Sequence, residues 1–167
     1  MSKELLPGSY TFRMTYAFAH QEKSQNVAVD SMVVFQTTKV TVQLKDSTGA
    51  LMDTGSARYR SRAWHSMGNT SGGQATVELL PGSYTFKMTY AFAHQEKSQD
   101  IAVDPTVVFQ TGQVHSDSGR CTHYNANGWH VFTQDMQLLP GAYTFRFKGG
   151  MANRSYKIVP GTVNHIR

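Results

Sequence analysis

The chain repeats itself, and this limits its architecture more than any other feature. Glu4 to Thr37 and Glu78 to Thr111 share one sequence except at five positions: Arg13/Lys87, Asn26/Asp100, Val27/Ile101, Ser31/Pro105 and Met32/Thr106. A third, diverged copy opens at Leu138 as LLPGAYTFRF. Long tandem near-identity is the mark of arrays, in which each unit supplies one packing module and buries its apolar face against its neighbours.

The interval from Glu4 to Glu78 is 74 residues, the size of a small domain. A unit of that size buries only about 60% of its unfolded surface, so neighbours are needed to support its core. The expected division is the second half of a unit over 1–37, a complete unit over 38–111 and a shorter, diverged unit over 112–167. Thr37-Thr38 and Thr111-Gly112 leave almost no slack between units, which predicts a stiff rod. Half a unit exposes an apolar face and unpaired strand edges. It must pack on the next unit, exchange strands with a second copy to give a homo-oligomer, or stay disordered.

The apolar residues alternate with period two, the period of strands. Tyr10, Phe12, Met14 and Tyr16 point one way, as do Val40, Val42 and Leu44. Val33 to Phe35 reads as a short strand. Turn signals such as Pro7-Gly8, Asp46 to Gly49, Pro81-Gly82, Asp117 to Gly119 and Pro140-Gly141 separate the runs. His20-Gln21-Glu22-Lys23, repeated as His94 to Lys97, reads as a polar hairpin loop. In the last unit, Thr162-Val163-Asn164 aligns with Thr106-Val107-Val108 as the terminal strand. It also trims the stretches matching Lys45 to Asp53 and Tyr90 to His94. No stretch has sustained helical spacing. The fold class expected is all-β: tandem small antiparallel β-sandwiches.

Val40 to Leu44, the Asp46 to Gly49 turn, Leu80-Pro81-Gly82-Ser83-Tyr84-Thr85-Phe86 and Thr106 to Phe109 together resemble the prealbumin-like, Ig-like repeats of bacterial surface proteins, the collagen-binding-protein B-type and carboxypeptidase-regulatory-like domains. The likeness covers nearly the whole chain. It implies a stalk or spacer module of an adhesin at the cell surface or secreted. Some members of that family carry a Lys–Asn isopeptide crosslink. Lys39 or Lys45 would be the lysine by position, but Val107 to Gln110 offers no Asn or Asp on the last strand.

The units differ most where a scaffold would carry a binding surface. Arg58-Tyr59-Arg60-Ser61-Arg62-Ala63-Trp64-His65 in the middle unit becomes His123-Tyr124-Asn125-Ala126-Asn127-Gly128-Trp129-His130 in the last. On one strand Arg58, Arg60 and Arg62 would share a face and grip carboxylate, sulfate or phosphate groups of a glycan or other polyanion. Tyr59 and Trp64 would stack on a ring, with His65 beside them. His123, Asn125, Asn127, Trp129 and His130 form the counterpart. The alternative is a charged edge strand that resists aggregation, with Trp64 filling the core.

Other chemistry finds little footing in the sequence. There is no nucleophile elbow, HExxH, P-loop or dinucleotide fingerprint, so no enzyme and no cofactor is expected. Cys121, the single cysteine, rules out an internal disulfide. Cys121, His123 and His130 fit no zinc spacing, and the Asp-x-x-Gly turns lack a calcium-loop pattern, so no metal is expected. A net charge of +5 without a Lys/Arg cluster argues against nucleic acid. No run approaches the roughly 18 apolar residues of a spanning helix, so no membrane insertion is expected. The opening MSKELLPG has no secretory apolar region and starts inside a repeat, as an excised segment would. A targeting signal and anchor are expected elsewhere in the parent protein.

Overall fold

A computed structural model describes residues 4–167; Met1-Ser2-Lys3, the start of the expected 1–37 half-unit, lie outside the described residues. Among the described residues every regular element is a strand, no helix occurs, and the sheets are small and mostly antiparallel. A leading hairpin pairs β1 (Ser9–Tyr16) with β2 (Ala19–Asn26).

The middle segment holds β3 (Thr38–Lys45), β4 (Ser56–Ser61), β5 (Ala63–Asn69), β6 (Gln74–Leu79), β7 (Ser83–Tyr90), β8 (Ala93–Asp100) and β9 (Thr106–Gln110). They form two sheets, ordered β6-β3-β9 and β5-β4-β7-β8. The last segment holds β10 (Gly112–Ser116), β11 (Cys121–Asn125), β12 (Trp129–Val131), β13 (Asp135–Leu138), β14 (Gly141–Phe147), β15 (Arg154–Ile158) and β16 (Val163–Ile166). Its sheets, β13-β10-β16 and β12-β11-β14-β15, follow the same order. In each segment the first and last strands pair in parallel, β3 with β9 and β10 with β16, while the other pairs are antiparallel.

The period-two pattern places the core. Val40, Val42 and Leu44 from one sheet meet Tyr59, Phe86 and Met88 from the other in one buried cluster. Val114 and Ile166 meet Tyr124, Phe145 and Ile158 in a second. Each such side chain contributes about 1.5–3 kcal/mol by leaving water. The thrice-repeated Leu-Pro-Gly-x-Tyr has a local cause. The Tyr10, Tyr84 and Tyr143 hydroxyls each donate to the carbonyl four residues earlier, of Leu6, Leu80 and Leu139, at 2.8–2.9 Å. This bond pins the turn to the strand that follows it. Burial pushes the Tyr143 phenol up to about 12.

Four expectations change. His20 to Lys23 is not a loop. It lies within β2, opposite Thr15 to Phe12, and the hairpin turns at Ala17-Phe18. Both turn residues have positive φ, 47° and 64°, and Ala91-Phe92 repeats this with 46° and 62°. Left-handed Ala and Phe are disfavoured, so a polar stretch looked the better turn. Val33 to Phe35 forms no strand, although the matching Val107 to Phe109 lies in β9. The reason is pairing: β9 is held by β3, and the leading hairpin has no such neighbour. Third, the parallel register aligns His165 and Ile166, not Thr162 and Val163, with Thr106 and Val107. Ile166 thereby takes the core position. Fourth, the β14–β15 pairing stops at Phe145–Arg154, and a loop through Gly149-Gly150 replaces the outer end of the β7–β8 hairpin.

Only Thr111 separates β9 from β10, and it is fully buried. Its hydroxyl donates to Gln137 Oε1 at 2.6 Å, and its N–H to the Lys45 carbonyl at 2.9 Å. Gln137 Oε1 also accepts the Ser47 N–H at 3.0 Å, tying the Asp46 turn to β13. At Gly112 a β-carbon would sit 2.3 Å from the Val159 carbonyl oxygen, so only glycine fits the junction.

Candidate functional site

The Ala-Phe hairpin tips of the leading hairpin and the middle segment each dock on the segment that follows. Phe18 stacks on His65 with ring centroids 3.9 Å apart and planes 5° from parallel. Phe92 stacks on His130 at 3.8 Å and 4°. The left-handed turn also aims two carbonyls forward. At the first joint the Tyr59 hydroxyl donates to Ala17 O at 3.5 Å and the Ser61 hydroxyl to Phe18 O at 2.9 Å. At the second, the Tyr124 hydroxyl donates to Ala91 O at 3.2 Å and the Asn127 amide to Phe92 O at 3.5 Å. Ala17 and Ala19 pack on the middle core, and Ala91 and Ala93 on the last one. Backbone strain of order 1–3 kcal/mol per residue is thus retained where neighbouring contacts hold it in place.

The docking surface uses several of the residues singled out by sequence. Tyr59 and Tyr124 are buried beneath the histidines, at 5.2 and 5.5 Å, and burial raises both phenols. His65 Nε2 contacts the Ser61 carbonyl at 3.2 Å, and His130 Nε2 the Ala126 carbonyl at 3.1 Å. A ring nitrogen on a carbonyl oxygen must be the donor, which fixes the ring for stacking. The Trp-His pair kept in both segments therefore splits its work, with His facing the joint and Trp facing outward.

Neither tryptophan fills a core. Trp64 lies opposite Arg60 on the outer face of the four-stranded sheet, with the Lys87 ammonium 4.1 Å and the Arg60 guanidinium 6.0 Å from its ring. Trp129 lies opposite Asn125, is 37% exposed, and carries the Arg146 guanidinium at 4.2 Å. Cation–π contact accounts for their place at the surface. Arg58 and Arg60 do share that outer face, and Arg58 sits directly opposite Lys87, which is paired to Glu96 at 2.9 Å. Arg62 does not join them. It is the left-handed residue at the β4–β5 tip, with φ of 63°, and Asn127, with φ of 55°, takes the same place at the β11–β12 tip. His123 is opposite Arg146, and its buried Nδ1 has no hydrogen-bond partner among the described residues.

Clefts open beside each docked tip. At the first joint one of about 320 Å³ is lined by Arg13, Phe18, His20, Arg62 and His65 among others. A second, of about 390 Å³, runs from Phe18 past Arg60 and Arg62 to Tyr84. The second joint has the counterpart of the latter, about 280 Å³, between His94, Asn125, Asn127 and Tyr143. Sequence reasoning found the variable stretch but missed Phe18, His20 and Arg13. The signal available was the Tyr-Ala-Phe-Ala-His stretch, which places a large apolar residue amid polar ones.

No protein-family model matches the chain, and no curated protein matches it. Among solved structures it is similar to the Bacillus anthracis TIE protein, at 10% identity and a TM-score of 0.36, over 97% of this chain and 41% of that one. The chain spans well under half of that protein's length, and so slight a likeness assigns no family.

Proposed function

We propose that this chain is a non-enzymatic structural repeat segment, a run of prealbumin-like β-sandwiches that spaces and presents other parts of a bacterial cell-surface or secreted adhesin-like protein. The division intended is 1–37, 38–111 and 112–167. The reading rests on one observation: the Phe-on-His joint recurs at successive boundaries with nearly the same geometry. A contact repeated in this way fixes the orientation of each unit on the next, as a stalk requires and a flexible string of domains does not. The one-residue Thr111 connection supports it. Small-angle scattering of the full chain is expected to give a rod-like profile. Phe92→Ala is expected to increase the spread of conformations while leaving the folded β signal unchanged. A compact or fully flexible wild-type profile would overturn the stalk.

A second reading, binding of a glycan or other polyanion, is favoured by the first-joint clefts. Among the described residues Arg60 and Arg62 have no carboxylate within ion-pair distance.

A further inference from the structure

The clefts of the two joints are the same cavity built twice. Every residue lining the second-joint cleft has its positional counterpart in the first-joint cleft that runs to Tyr84. Ala19/Ala93, His20/His94, Pro81/Pro140, Gly82/Gly141 and Tyr84/Tyr143 keep their identity. The change falls on Arg60/Asn125, Ser61/Ala126, Arg62/Asn127 and Ser83/Ala142. A constant frame holds variable polar groups, cationic at one joint and amide-bearing at the next.

Both joints carry an apolar platform beside the cleft, Phe18 at the first and Phe92, 62% exposed, at the second, so what sets the first joint apart is its guanidinium groups. Phe18 gives one ring face to His65, yet remains 64% exposed, and it borders both of that joint's clefts. Arg62 and His20 line both clefts as well, and no carboxylate lines either. Arg13 contributes less, because Glu22 lies 4.0 Å away. An exposed aromatic face beside guanidiniums suits a sugar ring, which offers C–H groups to the aromatic and an acidic substituent to the arginines. The charge is gathered at one joint and absent from the next. That matches a polymer acidic at intervals, and fits poorly with the evenly charged backbone of a nucleic acid.

We propose that the joint between the leading hairpin and the middle segment binds an acidic sugar residue of a polysaccharide. Phe18 serves as platform, Arg60 and Arg62 hold the carboxylate or sulfate, and the Asn125–Asn127 cleft is a neutral version of the same site. This inference rests on the second reading above. It places that reading's ligand at the joint end of the outer face, where Arg60 borders the cleft, and not along Arg58 and Lys87.

The test exchanges the two clefts. Arg60→Asn with Arg62→Asn installs residues the fold already accepts at the second joint, and Asn125→Arg with Asn127→Arg does the reverse. Binding of short heparin oligosaccharide and of galacturonate oligomer is measured by titration calorimetry at low and high salt, with a thymidine oligonucleotide of matched charge as control. The full chain is expected to bind one acidic oligosaccharide per molecule, weakening with salt. The R60N/R62N pair should lower affinity on the order of tenfold or more. In the N125R/N127R pair the stoichiometry should rise toward two. Heparin bound without galacturonate would assign the sulfate, and both bound would assign any acidic group. Equal binding of the oligonucleotide, or no binding at all, would overturn the proposal. Binding that survives R60N/R62N but is lost in Arg58→Ser with Lys87→Thr would keep the polyanion reading and overturn the joint site.

Discussion

Cys121 shows how one buried group couples the fold to pH. It lies in β11 within the second core, and burial pushes its thiol from 9.0 up to about 11. The native state therefore favours the neutral thiol. The associated stability is fully present below pH 9 and is lost as pH rises through about 11, because the unfolded chain ionises first. The buried Tyr143 phenol, at about 12, acts in the same direction at higher pH. Native protein at pH 8 is expected to react with a thiol-directed dye far more slowly than protein in denaturant, and Cys121→Ser should flatten part of the decline in melting temperature above pH 9. Rapid native labelling would contradict this burial. Asp46 behaves differently. Its carboxylate accepts the Thr48 hydroxyl at 2.7 Å and the Thr48 and Ala50 N–H groups, so its charge is used within the turn itself. The Thr48 hydroxyl is the largest influence lowering its pKa.

At the scale of the element, the Ala-Phe hairpin is built against its own local preference. Two-residue hairpin loops with positive φ at both central positions favour Asn-Gly, because Ala and Phe pay a steric cost there. Ala91→Asn with Phe92→Gly is therefore expected to relieve strain inside β7–β8, worth roughly 1–2 kcal/mol to the isolated turn. The same change removes the ring that rests on His130. The expected signature is a hairpin that keeps its strand signals by NMR, while the His130 ring resonances move toward those of a solvent-exposed histidine. Unchanged His130 resonances would mean that the joint does not depend on the tip. The last segment has the receiving His130 but, in place of a tip, the Gly149-Gly150 loop. Its far end therefore lacks the element that docks on a following unit.

For the whole molecule, the leading hairpin and its near-identical copy are a controlled comparison. Met88 is fully buried and Met14 is 43% exposed; Leu80 is 1% exposed and Leu6 is 79%. The local hydrogen bonds are nonetheless the same. Gln25 and Gln99 each span Asp30 O and Met32 O, or Asp104 O and Thr106 O, and Lys23 and Lys97 each donate to the opposite Val34 or Val108 carbonyl. What differs is cover: the β6-β3-β9 sheet packs over one copy and β4 pairs along its edge, whereas among the described residues no sheet covers the other beyond its tip. Backbone amides of β1–β2 are expected to exchange with solvent orders of magnitude faster than those of β7–β8, read peptide by peptide in one sample. Equal protection at every concentration would show that local bonds alone hold the hairpin. Protection that rises with protein concentration would identify a second copy as the cover.

Strand identity, the inward side of each strand and the Leu-Pro-Gly-x-Tyr turns were legible in the residues alone, because period-two alternation and turn chemistry are local. So was the stretch that varies between segments, from Arg58 to His65 and from His123 to His130. The tertiary structure alone decided the rest. It turned the hairpin at Ala17-Phe18, since only contact with the next segment holds two left-handed residues there. It left Val33 to Phe35 unpaired, since a strand needs a neighbour. It sent Trp64 and Trp129 outward under cations and His65 and His130 into the joints, because the partners of these rings lie on other strands and other segments. Side-chain type and spacing record what each residue can do; which partner it meets depends on chain segments distant in sequence, and only folding brings those together.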